Sequence, residues 1–179
     1  MKASPFSSFM ARVDAAEYGL CRHLNRGASF ALPRRVFQLA SRLGDGILWV
    51  VVVLALPLLY GVSAVKPALA MAITGLTGVL LYKLLKRVFV RERPFITHTS
   101  IDLAMAPLDR YSFPSGHTLH AVSFTWQITA HFPELGWVLI PIAALIAGSR
   151  VVLGLHYPSD VLAGAVIGAA LASVGTSLA

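Results

Sequence analysis

Three polar clusters interrupt an otherwise apolar chain: KRVFVRERP at 86–94, FPSGHTLH at 113–120 and SRVVLGLHYPSD at 149–160. Among their basic residues, Lys86, Arg93 and Arg150 are three permanent cations brought to one place. Unpaired beside hydrocarbon, such charges repel one another and lose hydration, so an anion is their natural partner. Guanidinium forks match phosphate oxygens bidentately, and a lysine acts as a point charge. Ser115 and Gly116 are small and directly precede a helical run, whose first backbone N–H groups can point at the same anion. His156 stands four residues before Asp160. A carboxylate on one imidazole nitrogen fixes the tautomer and leaves the other nitrogen free to attack phosphorus. His117 is then placed to protonate the departing oxygen. Each residue also has a purely structural reading: Lys86 and Arg93 as anchors of a helix end, Asp160 as a helix cap. Together on one face they describe a phosphoryl site.

The elements that must position these residues read as membrane spans. The chain is 56% hydrophobic and only 13% charged, with mean hydropathy +0.72; a soluble domain carries about 25% charge. The expectation is a single membrane-embedded, all-α domain over 1–179: a multi-span transmembrane helix bundle of about five spans (46–179) behind an interfacial N-terminal segment (1–44). The spans are 46–64, 67–82 (running into Lys83, Lys86 and Arg87), 117–132, 135–152 and 161–179. By parity the second, third, fourth and fifth spans deliver all three polar clusters to one side of the membrane. Gly164 and Gly168 form a GxxxG pattern, read as an intramolecular packing face.

Before the first span, residues 4–25 place Phe6, Phe9, Met10, Val13, Leu20 and Leu24 at helical spacing, with Arg12, Asp14, Glu17 and Arg22 elsewhere. A second stretch puts Val36, Leu39, Ala40 and Leu43 on one face and Arg34, Arg35 and Arg42 off it. Both have the pattern of interfacial amphipathic helices, and equally of helices packed on the protein's own spans. The first 30 residues lack the apolar core of a cleavable signal. Cys21 is the sole cysteine, so neither an intramolecular disulfide nor a cysteine metal site is available. The net charge of +7 reports orientation and anionic lipid as readily as any polyanion, so no nucleic-acid partner is inferred.

These residues resemble the type 2 phosphatidic acid phosphatases, membrane members of a superfamily that also holds bacterial acid phosphatases and vanadium haloperoxidases. The pattern has three parts. Lys86 is followed after six residues by Arg93 and Pro94; Pro114, Ser115, Gly116 and His117 stand together; Ser149 and Arg150 are followed after five residues by His156 and after three more by Asp160. The resemblance covers Lys86 to Asp160 directly. It implies a phosphohistidine formed on His156, oriented by Asp160, with His117 as acid and then activator of water. Lys86, Arg93, Arg150, Ser115 and the Gly116 N–H would hold the phosphoryl oxygens. No metal and no cofactor are implied. The implied substrate is a lipid phosphate or diphosphate of the phosphatidic acid, phosphatidylglycerophosphate, polyprenyl diphosphate or lipid A type, reached from the bilayer, with the loop 95–113 over the headgroup. For a bacterial member the compartment is the cytoplasmic (inner) membrane.

Alternatives remain open at this level. A metal-dependent membrane hydrolase would use His117, His120, His156 and Asp160 as ligands, and a lipid-binding or transport protein would use the cradle without turnover. Orientation is contested as well. By the parity count Lys66 alone of the fifteen Lys and Arg residues falls on the face opposite the site, which favours a cytoplasmic site. Most phosphatases of the family face the other way.

Overall fold

The computed structural model describes residues 5–179, with side chains from residue 12 onward. Phe6, Phe9 and Met10 therefore lie outside the described side chains. Among the described residues there are eight α-helices and no strands: α1 (Pro5–Asn25), α2 (Ala31–Leu43), α3 (Ile47–Tyr60), α4 (Val65–Phe89), α5 (Pro94–Thr97), α6 (Gly116–His131), α7 (Gly136–Val152) and α8 (Pro158–Leu178).

Helices α3, α4, α6, α7 and α8 alternate in direction, with α6 packed among the others. Trp49, near the start of α3, stacks on Phe124, and Tyr60, at its end, packs on Phe132, so α3 runs alongside α6 in the same sense. α4 runs oppositely, with Thr74 against Gln127 and Gly78 against Leu119. α7 starts at Gly136 beside Thr129 and ends near His117, where Ile146 and His117 both approach Gly44. α8 repeats the sense of α6. A Cβ added at Gly164 would stand 2.5 Å from the Ser115 carbonyl oxygen, so the absence of a side chain lets α8 lie against α6. The GxxxG face is thus used within the chain. The core between α3, α4, α6 and α7 is filled by Trp49, Leu56, Met71, Phe124, Ile128 and Ile146. Leu58, Leu59, Leu69 and Leu80 point outward and are well exposed, as suits a surface that faces hydrocarbon.

Three helical runs are long and apolar enough to cross a membrane: Ile47–Thr97, Pro133–Val152 and Pro158–Leu178. The first contains both α3 and α4, which run in opposite directions. The expected first span, 46–64, is a shorter helix. It ends at Tyr60, because Gly61 takes φ 73° and a 3-10 turn carries the chain into α4. The fifth helix begins earlier than expected, at Pro158, which pre-sets the helical φ. In α2, the four residues placed on one apolar face divide. Ala40 is buried and Leu43 packs on the core, whereas Val36 and Leu39 are exposed. The helix rests edge-on, with Phe37 approaching Gly148 of α7.

Candidate active site

At the polar end of the bundle, the side chains of the three clusters come from helix termini and from the short segments that join them. α4 carries Lys86 in its last turn. The chain then leaves through Val90, whose φ of 44° is unusual for a β-branched residue. That turn sends Arg91 and Arg93 into the protein. α6 starts at His117's neighbour Gly116, capped by the Ser115 hydroxyl, which accepts from the Thr118 N–H. α7 ends with Arg150 buried. The turn beyond it closes through Gly154 at φ 76°, and the His156 N–H donates to the Arg150 carbonyl at 3.0 Å. Asp160 sits in the first turn of α8, where its Oδ2 accepts the Tyr157 N–H at 2.9 Å.

Lys86, Arg93, Arg150, Gly116, His117 and His156 line one cavity of about 490 Å³. The expected convergence of the three clusters is therefore observed. Arg93 donates through Nη1 to the Leu155 carbonyl (2.7 Å) and lies 3.3 Å from His156 Nε2. A guanidinium has no acceptor, so Nε2 must offer its lone pair and the imidazole proton resides on Nδ1. Nδ1 lies 3.5 Å from Asp160 Oδ2, a contact between the two groups that is not a formed hydrogen bond. Burial first, and then the charges of Arg93, Arg150 and Lys86, hold the His156 imidazolium well below its ordinary pKa, leaving a neutral ring at physiological pH. That is the form a nucleophile requires.

Ser115 does not join the cavity. It is fully buried, its hydroxyl engages Thr118, and its N–H donates to the Asp160 carbonyl at 3.0 Å. Its position sets the start of α6 relative to α8 and presents Gly116 and His117.

Four further groups stand outside the expected catalytic and phosphate-binding set. The Asp109 carboxylate, from the loop over the site, reaches into the cradle. Its Oδ1 accepts from Lys86 Nζ (2.8 Å) and Arg93 Nη2 (2.7 Å). Burial raises the Asp109 carboxyl, but its bonds to Lys86 and Arg93 outweigh this and hold it below the usual carboxylate range. Asp45, between α2 and α3, accepts from His117 Nε2 at 2.7 Å. The Ser41 hydroxyl accepts from Arg150 Nη1, while Arg150 Nε is buried without a partner. Arg91 is the fourth. It is buried, points away from the cavity and contacts Asp160. Its presence in the basic run was visible, its direction was not. His120 lines the cavity and its Nε2 donates to the Gly75 carbonyl at 3.2 Å. Among the described residues, no group of three His, Cys, Asp or Glu side chains is arranged to hold one metal ion.

A cationic cradle with a neutral histidine at its base, on a helical membrane bundle, is an arrangement whose charge and donors suit an anion such as a phosphoryl group. The PAP2 superfamily profile matches residues 63–178, and the chain belongs to that superfamily. It is 32% identical over 121 residues to the undecaprenyl-diphosphatase BcrC of Bacillus subtilis (strain 168), covering 68% of this chain and 62% of that protein. It is 38% identical over 94 residues to the lipid A 1-phosphatase of Rhizobium johnstonii (strain DSM 114642 / LMG 32736 / 3841), covering 50% and 38%. The chain thus spans less than two thirds of the length of either relative. The fold is similar to the crystal structure of Aquifex aeolicus LpxE, with TM-score 0.79, 26% identity, and coverage of 90% of this chain and 95% of that one.

Proposed function

We propose that the protein is a membrane phosphatase that removes the terminal phosphate of a lipid phosphate or diphosphate, by a metal-independent route through His156. One observation carries the reading. The cavity that holds Lys86, Arg93, Arg150 and His156 continues without interruption along apolar walls from α3 and α4, including Trp49, Val53, Leu76 and Val79. A phosphate bound in the cradle therefore has an adjacent trough for hydrocarbon, as an amphiphilic substrate requires. Relatives named as undecaprenyl-diphosphatase and lipid A 1-phosphatase support the same class.

In this reading the phosphoryl group displaces Asp109 from Lys86 and Arg93 and takes up the unpartnered Arg150 Nε. His156 Nε2 attacks phosphorus, forming a P–N bond while the bond to the lipid oxygen breaks, and His117 delivers a proton to that oxygen. Asp160 accepts a hydrogen bond from Nδ1–H, which stays on the ring, and so stabilises the positive phosphoimidazolium. Water then attacks the phosphohistidine, giving its proton to His117, and inorganic phosphate leaves. The cations and the first N–H groups of α6 stabilise the five-coordinate phosphorus in both halves.

The reading places α3, α4, α6, α7 and α8 across the bilayer and α1 and α2 at the interface. The basic face, which carries the site, is then the cytoplasmic one by the positive-inside rule. Phosphate release from a panel of purified phosphatidic acid, phosphatidylglycerophosphate, undecaprenyl diphosphate and lipid A tests class and substrate together. Release that survives chelators and is inhibited by orthovanadate supports the proposal; no release from any member, or loss of activity on chelation, rejects it.

A further inference from the structure

We propose that Arg91, clamped between two carboxylates of α1 and the carboxylate of Asp160, is a positioning residue for the nucleophile, which makes α1 part of the catalytic apparatus. The inference rests on the reading of His156 as nucleophile.

Arg91 lies between Lys86 and Arg93 in sequence but does not share their task. Its Nη1 donates to Asp160 Oδ1 at 2.6 Å and to the Ser159 hydroxyl at 2.7 Å. Its Nη2 donates to Asp14 Oδ1 at 2.5 Å and to Glu17 Oε2 at 3.0 Å, and its Nε donates to Asp14 Oδ1 at 2.9 Å. The guanidinium also lies over the Tyr157 ring, 4.1 Å from its centroid. Every nitrogen is engaged, and one cation faces three carboxylates. Such a group has neither a free donor nor spare charge for a phosphate.

What it does have is control of Asp160. That carboxylate has two oxygens with separate duties. Oδ1 is held by Arg91, and Oδ2 is left to accept from the Tyr157 N–H and to face His156 Nδ1. Fixing Oδ1 fixes the plane of the carboxylate, and with it the direction from which Oδ2 meets the imidazole. Without Arg91, a fully buried carboxylate beside His156 has no counter-ion. Glu17 reinforces the arrangement by accepting from the Ser159 N–H (2.6 Å) and hydroxyl (2.7 Å), so α1 also holds the first turn of α8. α1 precedes the stretch that matches the superfamily profile. The clamp is therefore built by this chain's own N-terminal helix onto the shared site.

A merely structural clamp and a positioning clamp differ in what they disturb. The full chain carrying Arg91→Met should lose kcat on the order of 10–100-fold, the usual effect of removing a hydrogen-bond partner that orients a reactive group. Its KM and its inhibition constant for orthovanadate should stay within about twofold of wild type, because the cradle is untouched. Arg91→Lys should recover part of kcat, since an ammonium can pair Asp160 but cannot reach Asp14 and Glu17 as well. Asp14→Asn with Glu17→Gln should lower kcat in the same direction by less. This pair also carries the test if Arg91→Met does not fold, because both carboxylates are partly exposed. Wild-type kcat in Arg91→Met, or a loss of kcat matched by an equal loss of orthovanadate binding, overturns the proposal. A His156→Ala control separates the two levels. Turnover surviving in that variant removes the nucleophile reading itself, whereas a dead His156→Ala beside an unimpaired Arg91→Met removes the clamp alone.

Discussion

Replacing Asp109 by asparagine keeps the shape of the loop and removes the carboxylate that bridges Lys86 and Arg93. If that carboxylate occupies the place of the substrate phosphate, its loss should tighten anion binding. The magnitude follows from the geometry. The Asp109 side chain is 41% exposed, so each of its two ion pairs is discounted for solvent to roughly 0.5–1 kcal/mol. Together they favour the plugged cradle by about 1–2 kcal/mol, which lowers the vacant fraction roughly 5–30-fold. Asp109→Asn should therefore bind orthovanadate about 5–30-fold more tightly, read as the inhibition constant for phosphate release from a detergent-solubilised lipid phosphate. High salt should shrink the difference, because the plug is ionic and partly exposed. The sign with pH is also fixed. The Asp109 carboxyl is held below its ordinary value, so the plug is complete above about pH 4 and is lost only as pH falls through the lowered value. The ratio of variant to wild type should then be flat across the neutral range. An inhibition constant that is unchanged or weaker in Asp109→Asn refutes the reasoning.

Three other outcomes are expected. His156→Ala should abolish phosphate release while the purified protein keeps its helical circular dichroism and elution volume, and Asp160→Asn should be severely impaired because an amide can present the wrong partner to Nδ1. Gly164→Ala should lower thermal stability by about 1–3 kcal/mol, since its Cβ would press on the Ser115 carbonyl; an unshifted midpoint would contradict the close α6–α8 contact. In intact cells, a Ser4→Cys variant in a Cys21→Ser background should react with a membrane-impermeant thiol reagent only after lysis, and labelling before lysis would reverse the assigned orientation.

The order and alternating direction of the helical runs bring Lys86, Arg93, His117, Arg150, His156 and Asp160 to one end of the bundle. That much was legible because hydrocarbon leaves a chain few alternatives. The partners of these residues were not. Lys86 meets Asp109 across 23 residues, His117 meets Asp45 across 72 and Arg91 meets Asp14 across 77. Each pairing depends on the path of an irregular segment or on how an amphipathic helix is laid against the bundle, and periodicity encodes neither. Ser115 illustrates the same limit from the other side. Its place in the motif implied a phosphate ligand, and the motif gave no sign that the hydroxyl also caps the first turn of α6. The break at Gly61 was hidden because a glycine inside an apolar run is compatible with a helix until its φ is known.

The central claim is that phosphorus passes through His156. Purified protein mixed with a 32P-labelled lipid phosphate can be quenched into alkali, where phosphohistidine survives, and the labelled peptide identified by mass spectrometry. The account predicts a base-stable, acid-labile label on His156, formed before phosphate is released and missing from His156→Ala. Phosphate release without such a label, or a label on another residue, would contradict it.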